Sequence, residues 1–362
     1  MRTGKSIVEL AQEIERQKEA AKDYTVMSTA MSMEVQDAKP KLKLNGREDR
    51  NLFFGVGPVA HDHLSTKLDI PKRYYDRMLN SNPELLSHNV NVWLKAEAAP
   101  EKRLVRTLDG TARAILSDRY RRIDNKMIAE AALPILMGME NLQVMSCELT
   151  ERRMYIQVVT PKVQGEVKKG DVVQMGLLLS NSEVGCGSVR IEPLIFRLAC
   201  LNGMVMSYAM KRHHVGRRID IGFDGDEEGE TIFRKETLIT EDRAIFMKVQ
   251  DTVRHAFNEL AFQKELDTLR VAAGIPIETI QLEDSVKEVT KKYVLSKDEG
   301  AGILRNLITG GDLSKWGLAN AVTSLANNPE IGYDRAVELE RVGGEVINMN
   351  PADWKKVSRA GM

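Results

Sequence analysis

Residues 103–108 (RLVRTL) and 111–123 (TARAILSDRYRRI) are two extended runs separated only by Asp109 and Gly110. An Asp-Gly pair tolerates positive φ at both turn positions, the geometry that suits the right-handed twist of two antiparallel strands. A hairpin is expected here, and it commits the surrounding chain to antiparallel pairing. Behind it, residues 126–137 (KMIAEAALPILM) read as a helix, and LQVMSCELT, RMYIQVVTP and VVQMGLLLS read as further strands of a meander. The apolar stretch after Pro193 reads as a buried helix, although periodicity alone does not separate that from a buried strand. Upstream, NLFFGVGPV (51–59) reads as a strand running into a turn. Residues 61–86 read as helix-rich, with Pro71 in a first helical turn.

The ends of the chain differ from this middle. Residues 5–22 place Ile7, Leu10, Ala11 and Ile14 at helical spacing against a charged opposite face, which suggests an amphipathic arm docking on a neighbouring subunit. Residues 222–230 (GFDGDEEGE) hold three glycines and five acids, the composition of a solvated hinge. From Thr240 one long helix is expected, with Phe246, Val249, Val253, Phe257 and Leu260 on one face and Gly274 and Pro276 closing it. Ser296 and Glu299 match a capping box, and Gly310-Gly311 ends the helix that it starts. The expected division is an arm over 1–45, an α+β core over 46–221, an acidic glycine-rich hinge over 222–231 and a helical domain over 232–362. The fold class is α+β: antiparallel hairpins and a meander backed by helices, followed by a mainly helical C-terminal region.

Lysine and arginine together number 52, and so do aspartate and glutamate. A balanced charge argues against indiscriminate coating of nucleic acid but leaves room for a local basic groove. Cys147, Cys186 and Cys200 form no CxxC pair or framework, which fits reduced thiols in a cytoplasm. No apolar run reaches about 18 residues, so neither a membrane span nor a signal peptide is expected.

Catalytic and cofactor motifs fare poorly. Gly4-Lys5-Ser6 has the tail of a phosphate-binding loop without its upstream glycine. Gly185-Cys186-Gly187-Ser188 is followed by Arg190 where a dinucleotide fingerprint needs its third glycine, and it reads as a tight turn. His61 and His63 lack partners at metal-ligand intervals, and His213-His214 adjoins four cations. Cys186 has no nearby base to activate it. No catalytic residue, metal or cofactor is expected.

Basic clustering is more informative. Arg103, Arg106, Arg113, Arg119, Arg121 and Arg122 crowd the expected hairpin. On a strand Arg119 and Arg121 share one face, and Tyr120 and Arg122 the other, offering guanidinium groups to phosphates and a ring to bases. The alternative is that these arginines pair with Asp109, Asp118 and Asp124 on a solvated sheet. Lys211, Arg212, His213, His214, Arg217 and Arg218 form the densest cationic run, with Gly216 allowing close backbone approach to a phosphate. The alternative there is solvated surface, with the acidic stretch after it acting as a shield or only as a linker.

The segments YYDRMLNSNPELLSHNVNVW (74–93), RLVRTLDGTARAILSDRYRRIDN (103–125), LLSNSEVGCGSVRIEPLIFRLACLNG ending at Gly203, and WGLANAVTSLANN (316–328) together resemble a phage- and plasmid-encoded family of unknown function. The likeness extends over roughly residues 50–330 and implies a DNA-processing setting without supplying any catalytic residue. The expected function is single-stranded nucleic-acid binding by a homo-oligomer, through Arg119, Tyr120, Arg121, Lys211, Arg212, His213, His214, Arg217 and Arg218. An interaction or anti-defence assembly factor is the alternative, and a nucleic-acid-processing enzyme the third.

Overall fold

The computed structural model describes residues 4–45, 51–96, 100–206, 210–213, 235–277 and 282–358. The chain opens with a helix, α1 (Ile7–Ala20), and then lays down β1 (Lys22–Met27), β2 (Met31–Gln36), β3 (Lys39–Asn45) and β4 (Asn51–Val56). Three helices follow: α2 (Pro58–Lys67), α3 (Lys72–Ser81) and α4 (Pro83–Ala96). The hairpin β5 (Lys102–Leu108) and β6 (Thr111–Ser117) completes a six-stranded sheet in the order β1-β5-β6-β4-β3-β2. Its pairs are antiparallel except β4 with β6. Asp109 and Gly110 take φ of 49° and 74°, as the two-residue turn requires. Helices α2–α4 seal one face, where Leu64, Tyr75 and Val90 meet Met33, Leu42 and Ile115.

The expected N-terminal arm is therefore part of the body. Residues 22–45 are three strands of the first sheet, and α1 buries Leu10 and Ile14 within the same chain rather than on a neighbour. Ser6 caps α1 in a reciprocal box with Glu9, and the Lys5 amine meets Glu148 at 2.9 Å. The Gly4-Lys5-Ser6 motif is a helix start.

The second sheet follows α5 (Asn125–Gly138). It runs as a meander through β7 (Gln143–Leu149), β8 (Met154–Glu166), β9 (Val172–Asn181), β10 (Val189–Arg197) and β11 (Asn202–Val205), and β12 (Met210–Arg212) also pairs with β10. One face carries α1, α5 and α6 (Lys235–His255), with Ile128, Val249 and Val253 against Ile156, Leu177 and Ile191. Farther along the same face, Val173, Ile195 and Met204 meet the core formed by α7 (Glu259–Ala273), α8 (Leu282–Lys292), α9 (Lys297–Gly310), α10 (Lys315–Ser324), α11 (Tyr333–Ile347) and α12 (Pro351–Ser358), while the opposite face sets Tyr155, Leu178 and Leu194 against Val337 of α11. Burial on both faces explains why the stretch after Pro193 is strand and not helix. A strand covered on both sides reads as a continuous apolar run, without alternation.

Two further boundaries differ from expectation. The long helix from Thr240 breaks at residues 256–258, where the Asn258 side chain accepts the Ala261 N–H at 3.0 Å and starts α7. The helices after it share one core with the second sheet: Phe262, Trp316 and Leu339 pack with Val173, Ile195 and Met204. A separate helical domain over 232–362 would leave that part of the sheet bare. The expected hinge at 222–231 lies outside the described residues. The Ser296–Glu299 box is formed, and Gly311 closes α9 at φ 67°. Among the described residues no helix is long and apolar enough to cross a membrane.

Candidate functional site

Residues 119–122 lie beyond the strand that was expected to present them, because β6 ends at Ser117. Arg119 is exposed in the following turn, its N–H donating to Ser117 Oγ at 3.2 Å. Tyr120 is half-buried against Val59, Leu104, Leu116 and Val184, and its hydroxyl donates to the Ser182 carbonyl at 2.9 Å. Burial raises its pKa. That ring is a packing element and offers no face for stacking bases. Arg121 meets Glu241 at 3.1 Å and Arg122 meets Asp23 at 3.2 Å. Arg103 and Arg106 are buried and paired with Glu101 and with Asp23 and Asp124, and Arg113 is paired with Glu183. Most arginines of this segment are held in ion pairs within the fold; Arg106 takes the expected Asp124, while Asp109 is held by Arg16.

The second basic group stands differently. β11 and β12 run along the same side of β10, with Val205 opposite Leu194 and Met210 opposite Ile191, so β12 forms a sheet edge. Lys211, Arg212 and His213 are exposed. Arg212 lies opposite Val189, on the face covered by α6, and Lys211 lies opposite Arg190 on the other face. Arg190 donates to Ser188 Oγ at 3.2 Å. His214, Arg217 and Arg218 lie outside the described residues. The two basic groups are separate: α6 touches Arg121 through Glu241 and Met210 through Thr252, a spacing of roughly 16 Å along a helix rising about 1.5 Å per residue.

Packing and local hydrogen bonds account for Cys147 and for the two histidines of α2. His61 Nδ1 lies 2.8 Å from the Tyr75 hydroxyl, and His63 Nδ1 accepts the Ile115 N–H at 3.1 Å. Burial pushes both imidazoles down to about 4. Gly185, at φ 78°, lies in the connection over 182–188 between β9 and β10, which is longer than the tight turn expected of its motif. All three cysteines are free, Cys147 buried with its thiol pushed up to about 12 by burial, Cys186 half-buried and Cys200 exposed. Among the described residues no three side chains are grouped to hold a metal ion.

A cleft of about 320 Å³, not foreseen from any motif, lies where the two sheets meet, lined by Gln17, Val59, Leu108, Arg113 and Thr150 among others. Gln17 and Arg113 also line a smaller pocket of about 140 Å³ beneath α1, beside Asp23, Arg106, Asp124 and Glu183. These residues come from distant stretches of chain, and only the tertiary fold assembles them.

Fold and surface together define a two-sheet α+β protein with a basic sheet edge and a polar inter-sheet cleft. Residues 113–338 match the family model described as a domain of unknown function (DUF932). The match spans more than half of the chain, which belongs to that family. It begins inside β6 and ends inside α11, so it takes in the whole second sheet with helices on both faces. No curated protein and no solved structure matches the chain.

Proposed function

We propose that the protein is a non-enzymatic, single-stranded nucleic-acid-binding protein of a phage or plasmid, acting in recombination, annealing or DNA protection. The observation that carries this reading is the exposure of Lys211, Arg212 and His213 on an edge strand. The sequence continues that run with His214, Arg217 and Arg218 and places no acid in it. A polyanion lying along a sheet edge reaches side chains of both faces, so alternation of Lys211 and Arg212 does not prevent joint contact. Arg119 is a further exposed cation on a separate turn. Phosphate contacts of this kind supply affinity with little sequence preference. Fluorescence anisotropy with labelled oligonucleotides tests it. Four to six phosphate contacts give a log–log salt slope of roughly −3 to −4 on a single strand. Absence of binding at low salt overturns the reading.

A protein-interaction or assembly factor is the second reading, and the outer face of α4 favours it. Leu85, Val92 and Trp93 are exposed there at helical spacing. Self-association belongs to both readings. Light scattering at micromolar concentration separates a monomer from a homo-oligomer, and the oligonucleotide titration decides between the two functions.

A further inference from the structure

The inter-sheet cleft, about 320 Å³, falls in the size range of small-molecule sites, which favour junctions between structural layers. Its walls are of two kinds: Val59, Leu108 and Leu149 are apolar, and Gln17, Thr111 and Arg113 bring polar groups. Arg113 sets the sign of the ligand. Its Nη2 is tied to Glu183, which fixes the guanidinium. That is its one side-chain hydrogen bond among the described residues. The Nε–H is sealed from water without an acceptor. Nη1 has no protein acceptor either but is not sealed, and Arg113 is the one cation among the described residues that line the cleft.

Glu183 offsets the charge of Arg113, and the other acids nearby are engaged or face solvent. Asp109 is held by Arg16, whose Nη1 lies 3.2 and 3.0 Å from its two oxygens. Glu183, besides meeting Arg113, accepts the Asn125 N–H at 2.6 Å. Glu151 also lines the cleft but is exposed to solvent between β7 and β8. The start of α2 adds to the same sign. Gly57 is its N-cap and Pro58 its first residue, so no capping side chain accepts from the first-turn amides.

We propose that this cleft binds a small ligand carrying one anionic group, carboxylate or phosphate, on an apolar body. The anion sits at Arg113 Nη1, near the first turn of α2, and the body lies against Val59, Leu108 and Leu149. This site is independent of nucleic-acid binding at β12.

Thermal shift and calorimetric titration of the full chain test it with two matched pairs: adenosine 5′-monophosphate against adenosine, and benzoate against benzyl alcohol. The charged member of at least one pair should raise the unfolding transition by roughly 3–4 °C at a hundredfold excess over Kd, while its neutral partner does not. Which pair responds tells phosphate from carboxylate. Arg113→Lys keeps the charge beside Glu183 but loses the planar fork, and should weaken binding about tenfold. Gln17→Trp fills the cleft from α1 and should abolish binding; it serves alone if the Arg113 variant fails to fold. Silence of all four compounds, equal response within each pair, or unaltered binding in Gln17→Trp overturns the proposal.

Discussion

Arg106 of β5 and Asp124, the residue before α5, are joined by a hydrogen bond of 2.7 Å from Nη2 to Oδ1 that ties the first sheet to the second layer. Arg106 Nε also donates to Asp23 at 3.0 Å and Nη1 to the Glu183 carbonyl at 3.0 Å, while Lys18 of α1 reaches Asp124 at 3.0 Å. Burial alone would raise the Asp124 carboxyl, but Arg106 and Lys18 outweigh it and hold it below its ordinary value. Arg106→Met should therefore leave Asp124 to Lys18 and Asp23 to Arg122, and cost about 3 kcal/mol near neutral pH. Urea denaturation measures it. The cost should shrink in acid, where Asp124 takes up a proton. A loss below about 1 kcal/mol would mean that apolar packing alone joins the layers.

The two imidazoles of α2 predict a pH dependence. His61 and His63 fall to about 4, through burial first and then through Lys72 and Lys67 respectively. An unfolded histidine titrates near 6.5, so the unfolded chain takes up these protons more readily. Their contribution is complete above that value and lost as pH falls through the window towards 4. Each ring can remove up to about 1.4 kcal/mol per pH unit there. His63→Gln keeps an acceptor for the Ile115 N–H and removes one titration. Its stability curve should be flatter than the wild-type curve between those limits, and parallel curves would sink the idea.

Glycine positions separate two outcomes of one substitution. A Cβ on Gly344 of α11 would sit 1.9 Å from the Val205 carbonyl oxygen of β11, whereas one on Gly310 of α9 would meet nothing within 4 Å. The clash is with the backbone of a strand, which cannot swing aside as a side chain does. Gly344→Ala should destabilise by about 3 kcal/mol despite the better helix propensity of alanine. Gly310→Ala should be neutral or stabilise by up to about 1 kcal/mol. Equal effects in a thermal melt would mean that α11 can shift on its sheet without cost.

What was legible in the sequence was mostly local. Asp109-Gly110 announced its hairpin because two adjacent residues decide the turn, and Ser296 with Glu299 announced a helix start for the same reason. The same pattern at Ser6 and Glu9 is masked by Gly4 and Lys5, which point to phosphate chemistry. β10 and β11 were not legible, because burial on both faces erases the alternation that marks a strand. Arg106 is as arginine-like in sequence as Arg119, yet one is buried between carboxylates and the other exposed. Residue type does not reveal which partner long-range pairing will supply. The cleft was invisible for that reason: Arg113 and Glu183, 70 positions apart, meet only once both sheets have formed.

The basic edge gives the last prediction. Lys211 and Arg212 are exposed, so replacing them should change stability little, by less than about 0.5 kcal/mol each. Threonine suits the edge strand and removes both charges. If each side chain neutralises one phosphate, Lys211→Thr/Arg212→Thr should weaken oligonucleotide binding most at low salt. The log–log salt slope should flatten by about 1.4, from roughly 0.7 per lost contact on a single strand. Arg121→Gln is the matched control, since Glu241 already holds that guanidinium at 3.1 Å. Its slope should equal the wild-type slope. An unchanged slope in the double variant, with an unchanged melting temperature, would mark β12 as solvated surface. A slope flattened in Arg121→Gln instead would move the contact to the far end of α6.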